Sequence, residues 1–377
     1  PHLPEPRSFA SPILLSTVLF AIYTCTACPV VYVGDSGELT AAAHSMGIPH
    51  NSGYPLYAMV GKLFALIPLG NPGFRLNLMS GFFAAVTIGL VCHLVRSLSG
   101  STAAALVSGA LLGLAPLFWG QAVVAEVYSL HTFFVALLFA LLHVWDRDRS
   151  FPKLALFALA AGLSFGNHLQ TVMMAPAIFF FVLSGDKRPL LQVRTLLPLA
   201  FLFLLPLIAY AYLPVRTLAG AAIHWGDPDS FHRFFDHVTA VSHREGYAFG
   251  LTPQAFLGRL GGALLLFLSQ FGLLLLVCGW GAWTEGRTRW GMFFGLVILF
   301  DLCYTVFLNT VSLQATPFML PGSLASAVLL GLGLGDLLKR IDGSPRVREA
   351  MRSCVAVACA LIPVILLATR IGSCDQS

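Results

Sequence analysis

Asp35 and Glu38 are the residues of this chain whose type and spacing point most directly to chemistry. They lie in the segment GDSGEL, residues 34–39, directly after the first apolar run. Carboxylates at a membrane surface are costly unless they pair, cap a helix or catalyse. An Asp followed three residues later by a Glu is also a capping-box pattern. The alternative is that Asp35 is a general base facing a cavity, and the spacing alone leaves both interpretations open.

Two arginines are candidates for binding an anionic group on the same side of the membrane. Arg75 lies close to Asn77, and Arg216 precedes Trp225 and Asp227. An arginine in this position usually extends toward lipid headgroups, but a guanidinium group also suits phosphate better than an ammonium group does. The polar neighbours favour a site, in which Arg75 and Arg216 contact a donor phosphate and Trp225 and Asp227 contact a substrate.

Other polar residues fall in short segments near the predicted ends of apolar runs, such as the turn-forming segment GIPHNSGYP at 47–55. A lone histidine in a turn is more often a structural hydrogen-bonding residue than a ligand. The predicted acceptor or substrate contacts are His50, Tyr54, Glu126 and Tyr128, and the predicted donor contacts beside the arginines are Asn167 and His168.

No metal site is predicted. The loop at about 214–253 carries His224, His232, His237 and His243, but it lacks a helical His-x-x-x-His pair and a carboxylate triad. The spacing of Cys25 and Cys28 suits a redox pair, yet at the end of an apolar run cysteines are expected to behave as small hydrophobes. The sequence therefore implies no cofactor and gives no support for a divalent metal.

The elements that must position these residues are apolar. Hydrophobic residues make up 57% of the 377 residues, charged residues make up 10%, and the mean hydropathy is +0.81. This is too much apolar sequence for one water-soluble core, so an all-α polytopic membrane protein is predicted. Runs of spanning length occur at about residues 12–31, 76–95, 101–118, 127–145, 154–183, 195–213, 255–283, 291–308, 318–337 and 353–370.

A polar interruption divides one of these runs. Asn167 and His168 would be expensive in mid-bilayer, so a tight turn is predicted there and the number of spans becomes about eleven. The external loop at about 32–75 is too long for a simple connection, and helices are predicted at Leu39–Met46 and Tyr57–Ile67, along the membrane surface. Asp301 lies inside an apolar run, where a functional role and a hydrogen bond between helices explain it equally well.

The positions of Lys and Arg predict the orientation. With the N-terminus in the cytoplasm, about fifteen basic residues fall inside and about seven outside. The candidate residues then gather at the external face of the cell (inner) membrane, on the periplasmic side in a bacterium. The first span is expected to remain as an uncleaved anchor. No phosphate loop, hydrolase elbow, transporter-type repeat or nucleic-acid patch is evident.

Six ordered motifs resemble those of a GT-C-type membrane glycosyltransferase family, formerly catalogued as a domain of unknown function, whose animal member is an O-mannosyltransferase of plexin-type receptors. The motifs are VGDSGEL at 33–39, GIPHNSGYPLY at 47–57, FRLNL at 74–78, AEVYSL at 125–130, GLSFGNH at 162–168, and YLPVR at 212–216 with WGDP at 225–228. One departure is that Asn51 and Ser52 stand where members of the family often have proline.

The resemblance implies a GT-C fold, a sugar donor carried on polyprenyl phosphate, and an acidic catalytic residue in the first external loop. On this basis Asp35 is expected to be the base, Glu38 its partner or an acceptor ligand, and Arg75 and Arg216 the donor-phosphate contacts. Residues 32–75 would form the catalytic loop and 214–253 an acceptor or donor loop of one module covering 1–377. Ser373–Ser377 resembles the start of a soluble C-terminal region, which is expected to be absent or cut short here.

The predicted function is therefore transfer of a hexose, expected to be mannose, from a polyprenyl-phosphate donor to a hydroxyl acceptor such as Ser or Thr of an exported protein. An inverting mechanism at the non-cytoplasmic face is expected. The expected partners are the lipid-linked donor, the exported or membrane acceptor and the bilayer, with no nucleic acid. The alternatives are a transporter or flippase of a lipid-linked or anionic solute, which inverted repeats and a path open to both faces would favour, and a non-catalytic scaffold.

Overall fold

Helices dominate the protein that the computed structural model describes, which is residues 10–185, 192–241, 252–285, 288–308, 316–340, 361 and 364–377. The helices are α1 Ala10–Cys25, α2 Ser36–Ser45, α3 Pro55–Ala65, α4 Pro72–Ser99, α5 Thr102–Gly113, α6 Pro116–Ala122, α7 Val127–Asp148, α8 Phe151–Phe165, α9 Ala175–Leu183, α10 Val193–Leu204, α11 Tyr212–Leu218, α12 Phe231–Val238, α13 Pro253–Phe271, α14 Leu275–Glu285, α15 Arg289–Cys303, α16 Leu320–Arg340 and α17 Val364–Cys374. Short 3-10 segments lie at Leu169–Met174, Leu205–Ala211, Gly272–Leu274 and Thr316–Met319, and a π-helical turn lies at Tyr304–Leu308.

The prediction of a polytopic, all-helical membrane protein is confirmed for the described part of the chain. Six helical segments are long and apolar enough to cross a bilayer, and the pair α5–α6, bent by 68°, would make a seventh. The number eleven is reached only if four shorter apolar segments also cross, at 10–25, 151–165, 169–183 and 364–374. That number is therefore not confirmed, and residues 353–360 of the last predicted span lie outside the described residues.

Helix α16 is the centre of the bundle. The most apolar 18-residue window of its span is 89% buried, and α16 packs against α4, α5, α7, α14 and α15. Small residues permit this close packing: a Cβ at Gly333 would lie 2.3 Å from the carbonyl oxygen of Val277, and a Cβ at Gly281 would lie 2.0 Å from that of Leu329. The core is therefore built from interhelical contacts that a larger side chain would block.

Asp301 of α15 joins three parts of the bundle. Its Oδ1 accepts a hydrogen bond from Gln170 Nε2 at 2.8 Å, and its Oδ2 accepts one from the backbone N–H of Gly322, in the first turn of α16, at 2.7 Å. The interpretation of Asp301 as a hydrogen-bonding residue between helices is thus the one that the structure supports.

The end of the bundle away from the candidate site is held by an arginine. Arg289 at the start of α15 donates to Asp146 Oδ1 at 2.8 Å, to Ser184 Oγ at 3.0 Å and to the carbonyl oxygen of Phe181 at 2.6 Å. These contacts tie α15 to α7 and α9, so this cluster has a structural explanation.

Candidate functional site

The segment at about 32–75, predicted to be the first external loop, contains a pair of helices, as predicted. Helix α2 covers the predicted Leu39–Met46, and α3 covers most of Tyr57–Ile67. The two helices lie side by side, because Gly61 leaves a Cβ position only 2.7 Å from that of Ala43, and Lys62 Nζ donates to the carbonyl oxygen of His44 at 2.6 Å. Their C-terminal ends therefore meet, and their N-terminal ends meet at His50.

Asp35, Glu38 and His50 form the polar centre of this N-terminal end. Glu38 accepts a hydrogen bond from the backbone N–H of His50 at 2.5 Å, and its Oε2 lies 3.3 Å from His50 Nδ1. The other ring nitrogen, Nε2, lies 3.9 Å from Asp35 Oδ2. The Asp35 side chain makes no capping hydrogen bond to α2 and is 61% exposed. The capping-box interpretation is therefore wrong.

The charges of this cluster are coupled. Burial lowers the pKa of His50, but the hydrogen bond to Glu38 and the charges of Glu38, Asp35 and Glu126 outweigh it, so the pKa is raised above its usual value. Burial acts to raise the pKa of Glu38, but the hydrogen bonds and charge of His50 outweigh it and lower the pKa. The contact with Glu38 therefore favours the protonated form of the His50 ring and the ionised form of Glu38.

Glu126 brings a third carboxylate to the same centre. It directly precedes α7, and its side chain does not cap that helix. Burial raises the pKa of Glu126 to about 7, and the negative charge of Asp35 adds to the shift. Glu126 is therefore half-ionised near neutral pH and responds to small changes in its surroundings.

A row of aromatic rings leads from His50 into the bundle. The Tyr54 hydroxyl lies 3.3 Å from His50 Nε2. The Tyr54 ring is stacked on His168 with centroids 6.0 Å apart, and Tyr128 lies 5.6 Å from the same histidine. Burial lowers the pKa of His168 to about 4, so its ring is neutral. Four of the predicted site residues thus lie together.

The predicted turn at Asn167 and His168 is present and anchors both neighbouring elements. Asn167 Nδ2 donates to the carbonyl oxygen of Val127 at 3.2 Å, next to Glu126. The backbone N–H of Leu56 donates to the carbonyl oxygen of Gly166 at 2.9 Å, which fixes the start of α3. The observed contacts of Asn167 therefore position the site, and its predicted contact with a donor stays a prediction.

Arg75 lies at the other end of the helix pair from Asp35. It donates to the carbonyl oxygens of Ala65 at 2.7 Å, Leu69 at 2.9 Å and Gly70 at 2.8 Å. Because Ala65 ends α3 and Tyr54 precedes it, the eleven residues of α3 separate Arg75 from His50 by about 16 Å along the axis. These contacts give Arg75 a role in closing the α3–α4 turn.

Arg216 is also placed away from Asp35. Its Nε donates to the carbonyl oxygen of Met46 at 2.6 Å, and one terminal nitrogen donates to that of Ser45 at 3.4 Å. Asp35 precedes the first residue of α2 and Ser45 is the last of its ten residues, so about 15 Å of helix lies between them. The phosphate role of both arginines stays a prediction, and their observed contacts are structural.

The segment at about 214–253 is joined to the segment at about 32–75 by backbone hydrogen bonds. The N–H of Ile48 donates to the carbonyl oxygen of Ile223 at 2.7 Å, and the N–H of Trp225 donates to that of Ile48 at 3.1 Å, forming a short parallel bridge. The Trp225 side chain is 54% exposed, and Asp227 Oδ1 lies 2.5 Å from His224 Nδ1. Both side chains are therefore exposed, at an open rim just after the bridge.

The histidines of this loop do not form a metal site within the described residues. His232 pairs with Asp236 at 2.8 Å and His224 with Asp227, while His237 is buried; His243 lies outside the described residues. In the described part of the chain, the group that offers close metal-ligand atoms is Asp35, Glu38 and His50, with atoms within 4.8 Å of one another. Asp35 faces Nε2 of His50 and Glu38 faces Nδ1. A cation bound to one of these nitrogens would replace the contact of that nitrogen with its carboxylate, and only the contact at the other nitrogen would remain.

Phe318 and Gln170 complete the site, and neither of them was predicted from the sequence. Phe318 packs against Tyr128 and His168, with ring centroids 5.6 and 5.9 Å away. Gln170 reaches the carbonyl oxygen of Phe318 at 2.5 Å and Asp301 at 2.8 Å. Phe318 sits in an apolar run, where one phenylalanine gives no local signal of a site.

Comparisons with known proteins agree with this architecture. A family model described as the N-terminal domain of protein O-mannosyl-transferase TMEM260 matches residues 35–190. The chain is 29% identical over 392 residues to the mouse (Mus musculus) protein of that name, and 25% identical over 409 residues to the protein from Dictyostelium discoideum. Both alignments cover 94% of this chain, but only 54% and 48% of the relatives. The chain thus spans about half the length of these relatives, and the resemblance seen in the sequence motifs is confirmed.

The fold has a counterpart among solved structures. The crystal structure of ArnT from Cupriavidus metallidurans, bound to undecaprenyl phosphate, matches with a TM-score of 0.65 at 16% identity, over 95% of this chain and 65% of ArnT. ArnT is a GT-C glycosyltransferase, so the predicted GT-C-like fold is confirmed.

Proposed function

We propose that this protein is a membrane glycosyltransferase that transfers a hexose, mannose in the first instance, from a polyprenyl-phosphate donor to a hydroxyl group of a protein. The observation that carries the proposal is the cluster of Asp35, His50 and Glu38 at the end of a GT-C-like bundle. The names of the relatives in mouse and Dictyostelium support the protein acceptor. The undecaprenyl phosphate bound to ArnT supports the class of donor.

In the proposed reaction Asp35 is the general base. Its carboxylate takes the proton of the acceptor hydroxyl while that oxygen forms a bond to the anomeric carbon. The bond from this carbon to the phosphate oxygen breaks, and its electron pair leaves with the polyprenyl phosphate. Attack from the face opposite the phosphate gives inversion. Asp35 suits this step because its exposed side chain remains available to a substrate, whereas Glu38 is occupied by His50.

His50 has two roles in this proposal. Its contact with Glu38 fixes the ring, and its Nε2 faces Asp35 and the Tyr54 hydroxyl. A protonated His50 ring places positive charge beside the Asp35 base, 3.9 Å away. The same charge lies near the place where the departing phosphate gains negative charge.

The starts of three helices supply further positive potential at this end of the bundle. Asp35, Tyr54 and Glu126 directly precede helices α2, α3 and α7, and none of these three side chains caps its helix. The first amides of a helix carry partial positive charge and favour anions. In this proposal these helix ends and His50 contribute to stabilising the phosphate, beside the contacts that remain predicted for Arg75 and Arg216.

The remaining site residues are assigned to the substrates. Tyr54 and Tyr128 offer aromatic surface between His50 and the bundle, suited to a sugar ring. Trp225 and Asp227, at the exposed rim, are the proposed contacts for the acceptor. In this proposal the N-terminus is cytoplasmic and the site faces the external or periplasmic side, which the excess of basic residues at the opposite ends of the spans supports.

Transfer of labelled sugar tests the function. Purified protein is given polyprenyl-phosphate [³H]mannose and a secreted protein domain with exposed Ser and Thr, and radioactivity in the protein fraction is measured. We expect alkali-sensitive label on the acceptor and release of polyprenyl phosphate in equal amounts. Movement of the labelled lipid across a liposome membrane without transfer would instead establish the flippase alternative.

A further inference from the structure

Helix α12 in the second external loop carries an exposed pair of phenylalanines. Phe231 is 82% exposed and Phe235 is 51% exposed, and their rings stack with centroids 6.3 Å apart. Two large apolar side chains spaced four residues apart occupy the same face of a helix. Contact of these two rings with water is unfavourable, and the helix that carries them has only eight residues.

The other faces of α12 are already in use. Phe234 and Val238 belong to an apolar cluster with Leu207, Tyr210 and Leu213. On the polar face, His232 pairs with Asp236 at 2.8 Å and Arg233 pairs with Asp229 at 2.6 Å. With about 3.6 residues per turn, the paired phenylalanines lie between the protein-facing side and the polar side. The helix thus has one face toward protein, one charged face and one exposed apolar face.

The depth of α12 is set by the span on which it packs. Its cluster partners Leu207, Tyr210 and Leu213 belong to the apolar segment Val193–Leu218, which is long enough to cross a bilayer. Farther along the same segment, Val215 is still 60% exposed and Leu218 76% exposed. Exposed apolar side chains on a membrane span face lipid, so lipid reaches at least the level at which α12 is packed.

We propose that α12 lies in the membrane interface on the side of the candidate site, with Phe231 and Phe235 inserted among the phospholipid acyl chains. An amphipathic helix with aromatic residues on one face and charges on the other is suited to this position. The chain that follows Leu218 would return to the bilayer through α12. His224, which forms the bridge with Ile48, lies between this span and α12 in the chain, so both elements would fix the depth of the bridge relative to the membrane.

Photo-crosslinking to lipid tests this placement without any enzymatic activity. p-Benzoylphenylalanine replaces Phe231 or Phe235 in the full chain, which is reconstituted in nanodiscs of radiolabelled phosphatidylcholine and irradiated. His232, whose side chain is 85% exposed on the polar face, is the matched negative position. Ile208, 66% exposed on the span, is the positive control, and the same replacement there measures the lipid labelling expected of a lipid-facing side chain.

We expect positions 231 and 235 to label lipid severalfold more than position 232 and to approach position 208. Labelling at 231 and 235 that is no greater than at 232 would overturn the proposal. Crosslinks from 231 and 235 only to protein would also overturn it, because a protein surface would then cover this face.

Discussion

At the scale of single residues, the site separates two carboxylates that are only three positions apart in the sequence. Glu38 is held by the backbone and ring of His50, while Asp35 remains 61% exposed with an imidazole nitrogen 3.9 Å away. A base must be ionised and must be reachable by its substrate. Asp35 is the more reachable of the two carboxylates because Glu38 is held by His50, which decides between the two roles.

Glu126 is expected to give transfer activity a pH dependence near neutrality. Its folded-state pKa of about 7 means that a negative charge appears beside the site as the pH rises through 7. This charge repels an anionic donor, so kcat/KM should fall over that range. In Glu126→Gln the fall should be absent, and pH–rate profiles of both proteins measure it.

The matched control for this profile is Glu285→Gln. Glu285 is the last residue of α14 and contacts Thr288, next to Arg289 at the end of the bundle away from the candidate site. Its profile should follow that of the unmodified protein. If the pH–rate profile of Glu126→Gln keeps the same inflection, the prediction is wrong and another group is responsible for the ionisation.

Removal of divalent cations is expected to leave transfer unchanged. Asp35 and Glu38 face opposite nitrogens of His50, so in the proposed site the histidine ring, rather than a metal ion, lies between the two carboxylates. Initial rates with and without excess EDTA check this. Loss of activity that Mg²⁺ or Mn²⁺ restores would instead show that Asp35, Glu38 and His50 act as cation ligands.

At the scale of elements, the segment between α2 and His50 is held by the second loop. The carbonyl oxygens of Ser45, Met46, Gly47 and Ile48 accept hydrogen bonds from Arg216, Tyr212 and the N–H of Trp225. Tyr212 contributes a bond of 2.7 Å to Gly47. The position of His50 therefore depends on residues that lie more than 160 positions later in the chain.

Arg216→Ala separates a positioning role from a phosphate-binding role. If Arg216 positions the His50 segment, we expect kcat to fall by roughly 10- to 100-fold because small misplacements of catalytic groups are costly, while KM for the donor changes little. If Arg216 contacts the phosphate, KM for the donor should rise instead. Arg233→Ala, which breaks an exposed pair with Asp229 in the same loop, is the control and should leave both constants unchanged.

Asp301→Ala is expected to destabilise the bundle. It leaves the buried Gly322 N–H without its acceptor and the Gln170 amide with only the Phe318 carbonyl oxygen, and an unpaired buried group costs about 1–3 kcal/mol. Thermal unfolding in detergent should show a clearly lower Tm. Asp301→Asn keeps one oxygen acceptor and should lose less. Equal Tm values for Asp301→Ala and the unmodified protein would show that these bonds contribute nothing net.

At the scale of the whole molecule, the apolar pattern of the sequence was sufficient for the class of fold and for most helices. Helices at Leu39–Met46 and Tyr57–Ile67 and the turn at Asn167 were predicted from local composition and are present. The bend between α5 and α6 was not predicted, since hydropathy continues through Leu114 and Ala115 although the helix does not. Hydropathy reports which residues avoid water, not where a helix axis turns.

The pairing of distant residues could not be predicted from the sequence. The local spacing of Asp35 and Glu38 suggested a cap, but the partner of Glu38 is His50, twelve residues away on a folded-back turn. The residue types of Arg75 and Arg216 suggested phosphate, yet carbonyl oxygens at two helix ends take their hydrogen bonds. A guanidinium group serves both purposes equally well, so residue type alone could not predict these carbonyl contacts.

The most direct test of the central claim is the initial rate of sugar transfer by Asp35→Asn, measured beside Asp236→Asn, an exposed aspartate in a different loop whose only described ion pair is with His232. Both substitutions remove one negative charge and keep the shape of the side chain. We expect Asp35→Asn to lose at least about 100-fold in rate while it still binds polyprenyl phosphate and unfolds at the normal temperature, and Asp236→Asn to remain active. Transfer by Asp35→Asn at the rate of Asp236→Asn would contradict the assignment of Asp35 as the base.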